Sequence, residues 1–278
     1  EAYIYWSGRG ISVAKLKPNM KELASEPMQI QGLPDGFKEG PYAFKHNNKY
    51  YLTFPWVQDK TETLAYAMAD SPMGPFTFTG IIMDESPSGC WTNHHSITEY
   101  NGQWYLFYHH NDYSPNFDKN RSARIDSLFF NTDGTIKKVK PTLRGVGITD
   151  ARSKIQIDRY STISPYGVTI DYLEPSNTFE GWQTLFNRAG TWVTYNKVDF
   201  GTTPVKRLKA RVRSEKGGAI TLRTPGEKGM TIAELPIKPT GKWTEISTNV
   251  SNAPTSMQDL IITQTGENPV AVDWISFE

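Results

Sequence analysis

The first half of the chain repeats itself, and this repeat limits the possible folds more than any other feature. At an offset of 54 residues, the segment KEGPYAFKHNNKYYLTF aligns with TNHHSITEYNGQWYLFY, so that Glu39 matches Asn93 and Tyr51 matches Tyr105. Each aromatic strand is followed by a smaller strand, a turn and a final strand, and the opening residues follow the same order. Units of about fifty residues with four short strands are typical of a β-propeller. The sequence therefore predicts an all-β protein that begins with part of a propeller.

The number of repeats is too small for a closed propeller. About two and a half units fit into the first 150 residues, whereas propellers close with roughly four to eight blades. This chain alone would then leave blade faces unburied. We therefore expect a missing N-terminal propeller segment to complete the domain, and a separate chain could supply it.

The second half of the chain has a different pattern. In VKRLKARVRS, apolar residues at 208, 210 and 212 alternate with basic residues at 209, 211 and 213. Seven or more such amphipathic strands predict a two-sheet β-sandwich of the jelly-roll type. All five histidines and 23 of the aromatic residues lie in the first 150 positions. We therefore predict two domains, 1–150 and 151–278, with any imidazole chemistry in the first.

The charge balance narrows the class of partner. The formal net charge is +1 and no cluster of Lys and Arg stands out, so the sequence does not predict a nucleic-acid partner. No run of about 18 apolar residues occurs, so no membrane-spanning segment is expected either. Phosphate-cradling glycine loops, the GxSxG elbow and HExxH are absent from the sequence. A neutral partner is the remaining expectation.

Three places in the first segment carry polar groups at strand starts, where a propeller faces its axis. Glu39 precedes an inner strand, where removal from water would favour the protonated form that a general acid needs; a surface-loop glutamate is the alternative. Trp91 and His94 lie at the equivalent point of the next unit, and because His94 and His95 are adjacent on a strand, at most one faces the axis. Arg121, at the start of a later strand, could hold a sugar hydroxyl or a carboxylate.

Taken together, these motifs resemble glycoside hydrolase family 43, the family of arabinofuranosidases, β-xylosidases and arabinanases. The resemblance is carried by EGP at 39–41, by TNHHSI with the following NGQWYLFYH, and by RSARIDSLFFNTDGTIKKVKPT. It implies the C-terminal half of a five-bladed propeller and an inverting reaction. In this reading Glu39 is the general acid, His94 organises water or a bound cation, and Arg121 lies in the substrate pocket; we predict Trp91 as a further substrate contact. The general base would be an aspartate outside this chain, because no aspartate here occupies a matching motif.

The second segment resembles a carbohydrate-binding module of family 6. The match spans about 154 to 278 and rests on IQIDRYSTIS, GTWVTYNKVDFG and VAVDWISFE. It implies a structural calcium held by Gln156, Asp158 and Asp273, a donor set suited to that ion. The family's sugar-bonding asparagine position is Ala271 here, so the usual cleft lacks that donor. Trp182 or Trp192 could stack on a sugar ring, whereas packing in the core is the alternative for Trp192 and the expectation for Trp274.

These resemblances together imply a secreted or periplasmic α-L-arabinofuranosidase that acts on arabinoxylan or arabinan of plant cell walls. A β-xylosidase of the same family is the enzymatic alternative. A noncatalytic carbohydrate-binding protein is the alternative from another class, in which the incomplete propeller only supports the sandwich.

Overall fold

The protein forms two compact units. The computed structural model describes residues 1–37, 39–111, 119, 121–227 and 229–278. The chain divides into Glu1–Gly145 and Val146–Glu278, slightly before the boundary that the sequence predicts at Asp150. The difference arises because Thr149–Asp150 pairs in parallel with Val198–Asp199 and so belongs to the second unit.

The first unit consists of three antiparallel sheets. The first sheet contains β1 (Ala2–Ser7), β2 (Ile11–Leu16) and β3 (Met28–Gln29). The second contains β4 (Tyr42–His46), β5 (Lys49–Val57), β6 (Glu62–Ala69) and β7 (Thr77–Met83) in sequential order. The third contains β8 (His95–Tyr100), β9 (Gln103–His110) and β10 (Ser122–Leu128). Neighbouring strands within each sheet follow one another in the chain, as expected for successive blades.

Two of the tight turns follow directly from sequence signals. Asn47 and Asn48 join β4 to β5 with positive φ angles of 45° and 60°. Asn101 and Gly102 join β8 to β9 with φ angles of 50° and 78°. Two consecutive positive φ values characterise the type I′ turn, which matches the twist of a hairpin and favours Asn and Gly.

The second sheet has both of its faces buried. Tyr51 on β5 belongs to a buried cluster that includes Ile97 and Leu106 of the third sheet. The next residue, Leu52, belongs to a different buried cluster that includes Ile11 of the first sheet. Because successive residues of a strand point to opposite faces, the second sheet is packed between its two neighbours.

The second unit is a sandwich of two sheets around one core. The strands of one sheet are β11 (Thr149–Asp150), β13 (Thr162–Ile163), β16 (Trp192–Asp199), β18 (Gly218–Arg223), β19 (Thr231–Ile237) and β21 (Met257–Gln264). Those of the other are β12 (Ile155–Gln156), β14 (Val168–Tyr172), β15 (Trp182–Phe186), β17 (Arg207–Arg213), β20 (Thr244–Asn249) and β22 (Val270–Phe277). The first sheet has the order β11-β16-β21-β18-β19 with β13 beside β16, and the second has the order β14-β15-β22-β17-β20 with β12 beside β22.

The burial pattern of the second unit agrees with its sequence pattern. Leu208, Ala210 and Val212 are completely buried in the core, while the basic residues between them are not. Helix is limited to two short 3-10 turns, Ile157–Arg159 and Thr178–Glu180, among the described residues. The all-β prediction is thereby confirmed. None of the helices in the described part of the chain is long and apolar enough to cross a membrane.

Candidate active site

Glu39 and His94 meet at the starts of neighbouring sheets. Glu39 lies in the turn that leads into β4, and His94 immediately precedes β8. The Glu39 Oε1 and His94 Nε2 atoms are 3.2 Å apart, and both side chains are accessible to solvent. In the 54-residue repeat, Glu39 aligns with Asn93, which directly precedes His94. The structure therefore brings two of the predicted site residues into contact.

Gly40 makes this contact possible. Its φ of +64° is in the left-handed region, and a Cβ added there would lie 3.1 to 3.3 Å from three atoms of the His94 ring. A side chain at this position would therefore be strained and would press on the imidazole. The glycine of the EGP motif is thus explained by the close approach of His94.

The histidines around this pair are divided between the two faces of their strands. His95 points away from Glu39 and its Nε2 contacts Thr53 Oγ1 at 2.6 Å, while burial lowers the pKa of His95 to about 3. His109 faces the same side as His94, with 6.3 Å between the ring centroids. Burial, followed by the charge of Arg121, lowers the pKa of His109 to about 4. His109, which the sequence does not single out for a functional role, thus lies close to both His94 and Arg121.

The remaining predicted residues of the site are both exposed. Arg121 is exposed just before β10, and Trp91 is exposed three residues before His94. The side chain of Glu39 is 60% exposed, so the expected removal of this carboxylate from water is wrong for the residues that the structure describes. The reason is that Glu39 lies in an open turn rather than between the aromatic strands. The site is accordingly an open cluster of one carboxylate, two imidazoles and one guanidinium.

Sequence reasoning misses one buried carboxylate next to the site. Glu62 is the first residue of β6 and is 5% exposed, and its Oε2 accepts the backbone N–H of Asn93 at 2.9 Å. Asn93 is itself completely buried. The available signal is that Glu62 begins a strand, ETLAYAMA, that is otherwise free of charge.

The predicted calcium donors of the second unit also lie close together. Gln156 pairs with Trp274 across β12 and β22, beside Asp273, and Asp158 follows two residues later. Burial raises the pKa of Asp158 to about 6, and the charge of Asp273 contributes to this shift. Asp273 also lies 2.6 Å from Arg211 Nη1, an ion pair that the sequence pattern does not predict. Within the described ranges, no group of three or more His, Cys, Asp and Glu side chains is placed to hold a metal ion.

The sandwich has one surface depression at Trp192 and another at Ala271, the two positions that bear on sugar binding. Trp192 lines a groove of about 450 Å³ together with threonines and Arg223 of the β16-β21-β18-β19 surface. Ala271 lines a separate pocket of about 380 Å³ with Leu185 and Arg213. Trp182 instead stacks on Tyr172, with ring centroids 4.3 Å apart. Trp274 is buried, as predicted for a packed residue.

Comparison with known proteins separates the same two segments. Residues 1–136 match the sequence profile of the family described as Glycosyl hydrolases family 43, and residues 164–278 match Carbohydrate binding module (family 6). The arabinoxylan arabinofuranohydrolase of Paenibacillus polymyxa is 28% identical in an alignment of 258 residues that covers 82% of this chain and 40% of that protein. The β-xylosidase of Xylanibacter ruminicola is 37% identical in an alignment of 141 residues that covers 46% of this chain and 42% of that protein. The chain thus spans less than half the length of these two curated relatives.

A solved structure resembles almost the whole chain. It is a glycoside hydrolase family 43 arabinoxylan arabinofuranohydrolase from Bacillus subtilis in complex with cellotetraose, with a TM-score of 0.58 and 24% identity. The match covers 96% of this chain and 59% of that one. This likeness concerns the fold, and it confirms the predicted order of propeller blades followed by a sandwich.

Proposed function

Since residues 1–136 belong to glycosyl hydrolase family 43 and residues 164–278 to carbohydrate-binding module family 6, we propose that the protein is a glycoside hydrolase acting on arabinoxylan or xylan. More specifically, it removes α-L-arabinofuranosyl units with inversion, from arabinoxylan or arabinan. The observation that carries the proposal is the contact of Glu39 with His94 at the sheet starts, with Arg121 nearby. The arabinofuranohydrolase relative, which matches across both segments, favours arabinose as the released sugar.

In this mechanism Glu39 is the general acid. Its carboxyl group protonates the glycosidic oxygen as the bond to the sugar breaks, and the contact with His94 Nε2 fixes the orientation of that carboxyl group. Arg121 and Trp91 would contact the sugar from the exposed side of the cluster. Inversion also requires a carboxylate that activates water on the opposite face of the ring, about 6.5–9.5 Å from the acid. An aspartate would supply this base, and none of the aspartates of residues 1–278 occupies a matching motif.

The acid assignment is tested by leaving-group dependence. Glu39→Gln should lower kcat by about 10²- to 10⁴-fold on an arabinofuranoside with a poor leaving group, and much less on a nitrophenyl arabinofuranoside, which needs no protonation. Glu85→Gln is the control, because it makes the same chemical change at another glutamate of the first unit. Glu85 accepts the backbone N–H of Lys60 at 2.8 Å and is not part of the Glu39–His94 contact. Full activity of Glu39→Gln on the poor leaving group would exclude Glu39 as the acid.

The second candidate function is β-xylosidase activity. The observation that favours it is the 37% identity to the β-xylosidase of Xylanibacter ruminicola, which is higher than the identity to the arabinofuranohydrolase. Rates on matched aryl arabinofuranosides and aryl xylosides distinguish the two activities. A protein that binds polysaccharide but releases neither sugar would instead support the noncatalytic alternative.

We also propose a structural calcium ion in the sandwich. The donors would be Gln156, Asp158 and Asp273, whose oxygens suit a hard divalent cation. The fit is supported by the two buried carboxylates, because the charge of Asp273 opposes ionisation of Asp158 and a cation would remove this repulsion. Arg211 already neutralises part of the Asp273 charge and Arg159 lies 3.9 Å from Asp158 Oδ2, so a bound cation would compete with both arginines.

The sandwich would bind polysaccharide in the Trp192 groove. Sugar rings stack on aromatic faces while hydroxyl groups bond to polar side chains, and this groove offers an indole, several threonines and Arg223. The pocket beside Ala271 carries no aromatic side chain. Because a wall polysaccharide is too large to enter the cell, we propose that the protein acts in a secreted or periplasmic location.

A further inference from the structure

The segment that carries His94 is tied to the neighbouring sheet at every second residue. β8 is the edge strand of its sheet, so one side of its backbone has no partner strand in the β10-β9-β8 order. Side chains of the β4–β7 sheet contact Asn93, His95 and Ile97, two of them at a backbone group and one at the His95 imidazole. The three contacts are Glu62 Oε2 with the Asn93 N–H at 2.9 Å, Thr53 Oγ1 with His95 Nε2 at 2.6 Å, and Tyr42 OH with the Ile97 carbonyl at 2.7 Å.

Glu62 contacts the residue that directly precedes His94. It is buried, and a buried carboxylate is unfavourable unless it accepts hydrogen bonds. The bond from the Asn93 N–H is charge-assisted and therefore stronger than a bond between neutral groups. The side-chain amide of Asn93 has no hydrogen-bond partner at either atom among the described residues, so this side chain does not anchor the segment. The backbone of Asn93 is held by Glu62 instead.

The next residue in the chain is His94. Any shift of the Asn93 backbone is transmitted through one peptide unit to the His94 Cα, and the His94 Nε2 lies 3.2 Å from Glu39 Oε1. This distance is at the upper limit of an effective hydrogen bond, so a small displacement would break the contact. The position of His94 therefore depends on the backbone amide of Asn93, and the Glu62 carboxylate of the neighbouring sheet holds that amide.

We propose that Glu62 is a positioning residue of the active site, which holds the Asn93 backbone so that His94 reaches Glu39. Glu62 does not touch substrate in this proposal. The inference rests on the proposed function, because it gives the Glu39–His94 contact a role in hydrolysis. It assigns to the buried start of β6 a function that local sequence alone does not indicate.

The test uses the full chain and two readouts. Glu62→Ala should move the His94 imidazole cross-peak in a ¹H–¹³C spectrum and lower kcat by roughly 10²-fold, with little change in KM. Glu62→Gln keeps an acceptor oxygen and should lose less than about tenfold, which is the difference between a charge-assisted and a neutral hydrogen bond. If Glu62→Ala does not fold, Glu62→Asp keeps the charge but withdraws the oxygen by one methylene, and it should move the same cross-peak.

Asp126→Ala is the matched control. Asp126 is also a buried carboxylate of the first unit and accepts a backbone N–H, from Thr142 at 3.0 Å. The Asp126→Ala variant should have a lower melting temperature, whereas its His94 cross-peak should stay in place. An unmoved His94 cross-peak in Glu62→Ala or Glu62→Asp would overturn the inference, as would an equal shift in Asp126→Ala. Release of neither arabinose nor xylose by the native protein would contradict the proposed function instead, and the cross-peak comparison would still decide the role of Glu62.

Discussion

Substitution of Gly40 by alanine tests whether the contact between Glu39 and His94 is built by close approach of the backbone. Gly40 has a φ of +64°, and placing an alanine in the left-handed region costs about 1–2 kcal/mol. The added Cβ would lie 3.1 to 3.3 Å from the Cε1, Nδ1 and Nε2 atoms of His94. The imidazole must then move away by a few tenths of an ångström. Because the distance from His94 Nε2 to Glu39 Oε1 is already 3.2 Å, a movement of this size is enough to break the hydrogen bond.

Gly102→Ala separates the two effects of this substitution. Gly102 also has a positive φ, +78°, but a Cβ added there meets no heavy atom within 4 Å. Both variants should therefore lose about 1–2 kcal/mol of unfolding free energy, measured with urea. Only Gly40→Ala should move the His94 imidazole cross-peak and lower kcat, by roughly 10- to 10²-fold. Equal cross-peaks and equal rates in the two variants would refute the argument that Gly40 positions His94.

Three further predictions concern calcium, acid stability and the sandwich groove. Calcium at 100 times its Kd should stabilise the sandwich by about 2.7 kcal/mol, so chelation should lower its Tm in the native protein but not in Asp158→Asn; an unchanged native Tm would contradict the site. Burial, followed by the charge of Arg124, lowers the pKa of His110 from 6.5 to about 4, so the unfolded chain binds protons more readily. His110 should therefore contribute a loss of about 3 kcal/mol of unfolding free energy as the pH decreases from 6.5 to 4, and His110→Gln should remove this part of the pH dependence measured by urea unfolding; an unchanged pH dependence would contradict it. Trp192→Ala should abolish retardation on xylan or arabinan in affinity electrophoresis, whereas loss of retardation in Trp182→Ala alone would place binding elsewhere.

The sequence predicts features that depend on local pattern or on the repeat. The turns at Asn47-Asn48 and Asn101-Gly102 follow from backbone preferences of those residues. The meeting of Glu39 and His94 follows from the repeat, because equivalent positions of successive blades converge near the axis. In β17, the alternation of apolar and basic residues predicts which face of the strand is buried in the sandwich.

Other features depend on contacts between distant residues and leave no local pattern. Glu62 and Asn93 are 31 residues apart in the chain, and Arg211 and Asp273 are 62 apart. The exposure of Glu39 is likewise set by what surrounds its turn in three dimensions. The resemblance to known families supplies candidate roles for individual residues, but it does not supply these supporting contacts.

The burial of both faces of the β4–β7 sheet has a consequence for how its strands align. In a strand with one solvated face, a slip of one residue exposes the apolar side chains, and this penalty fixes the pairing. Tyr51 and Leu52 are both completely buried, so a slipped β5 would still place an apolar side chain in each core but would lose the hydrogen bond from the Tyr51 hydroxyl to the Gly134 carbonyl. The alignment must then be set by the hairpin turn and by polar groups with a single correct partner, such as the Thr53 hydroxyl that donates to the Tyr42 carbonyl at 3.1 Å. Variants that remove such groups would misalign strands within an otherwise intact apolar core.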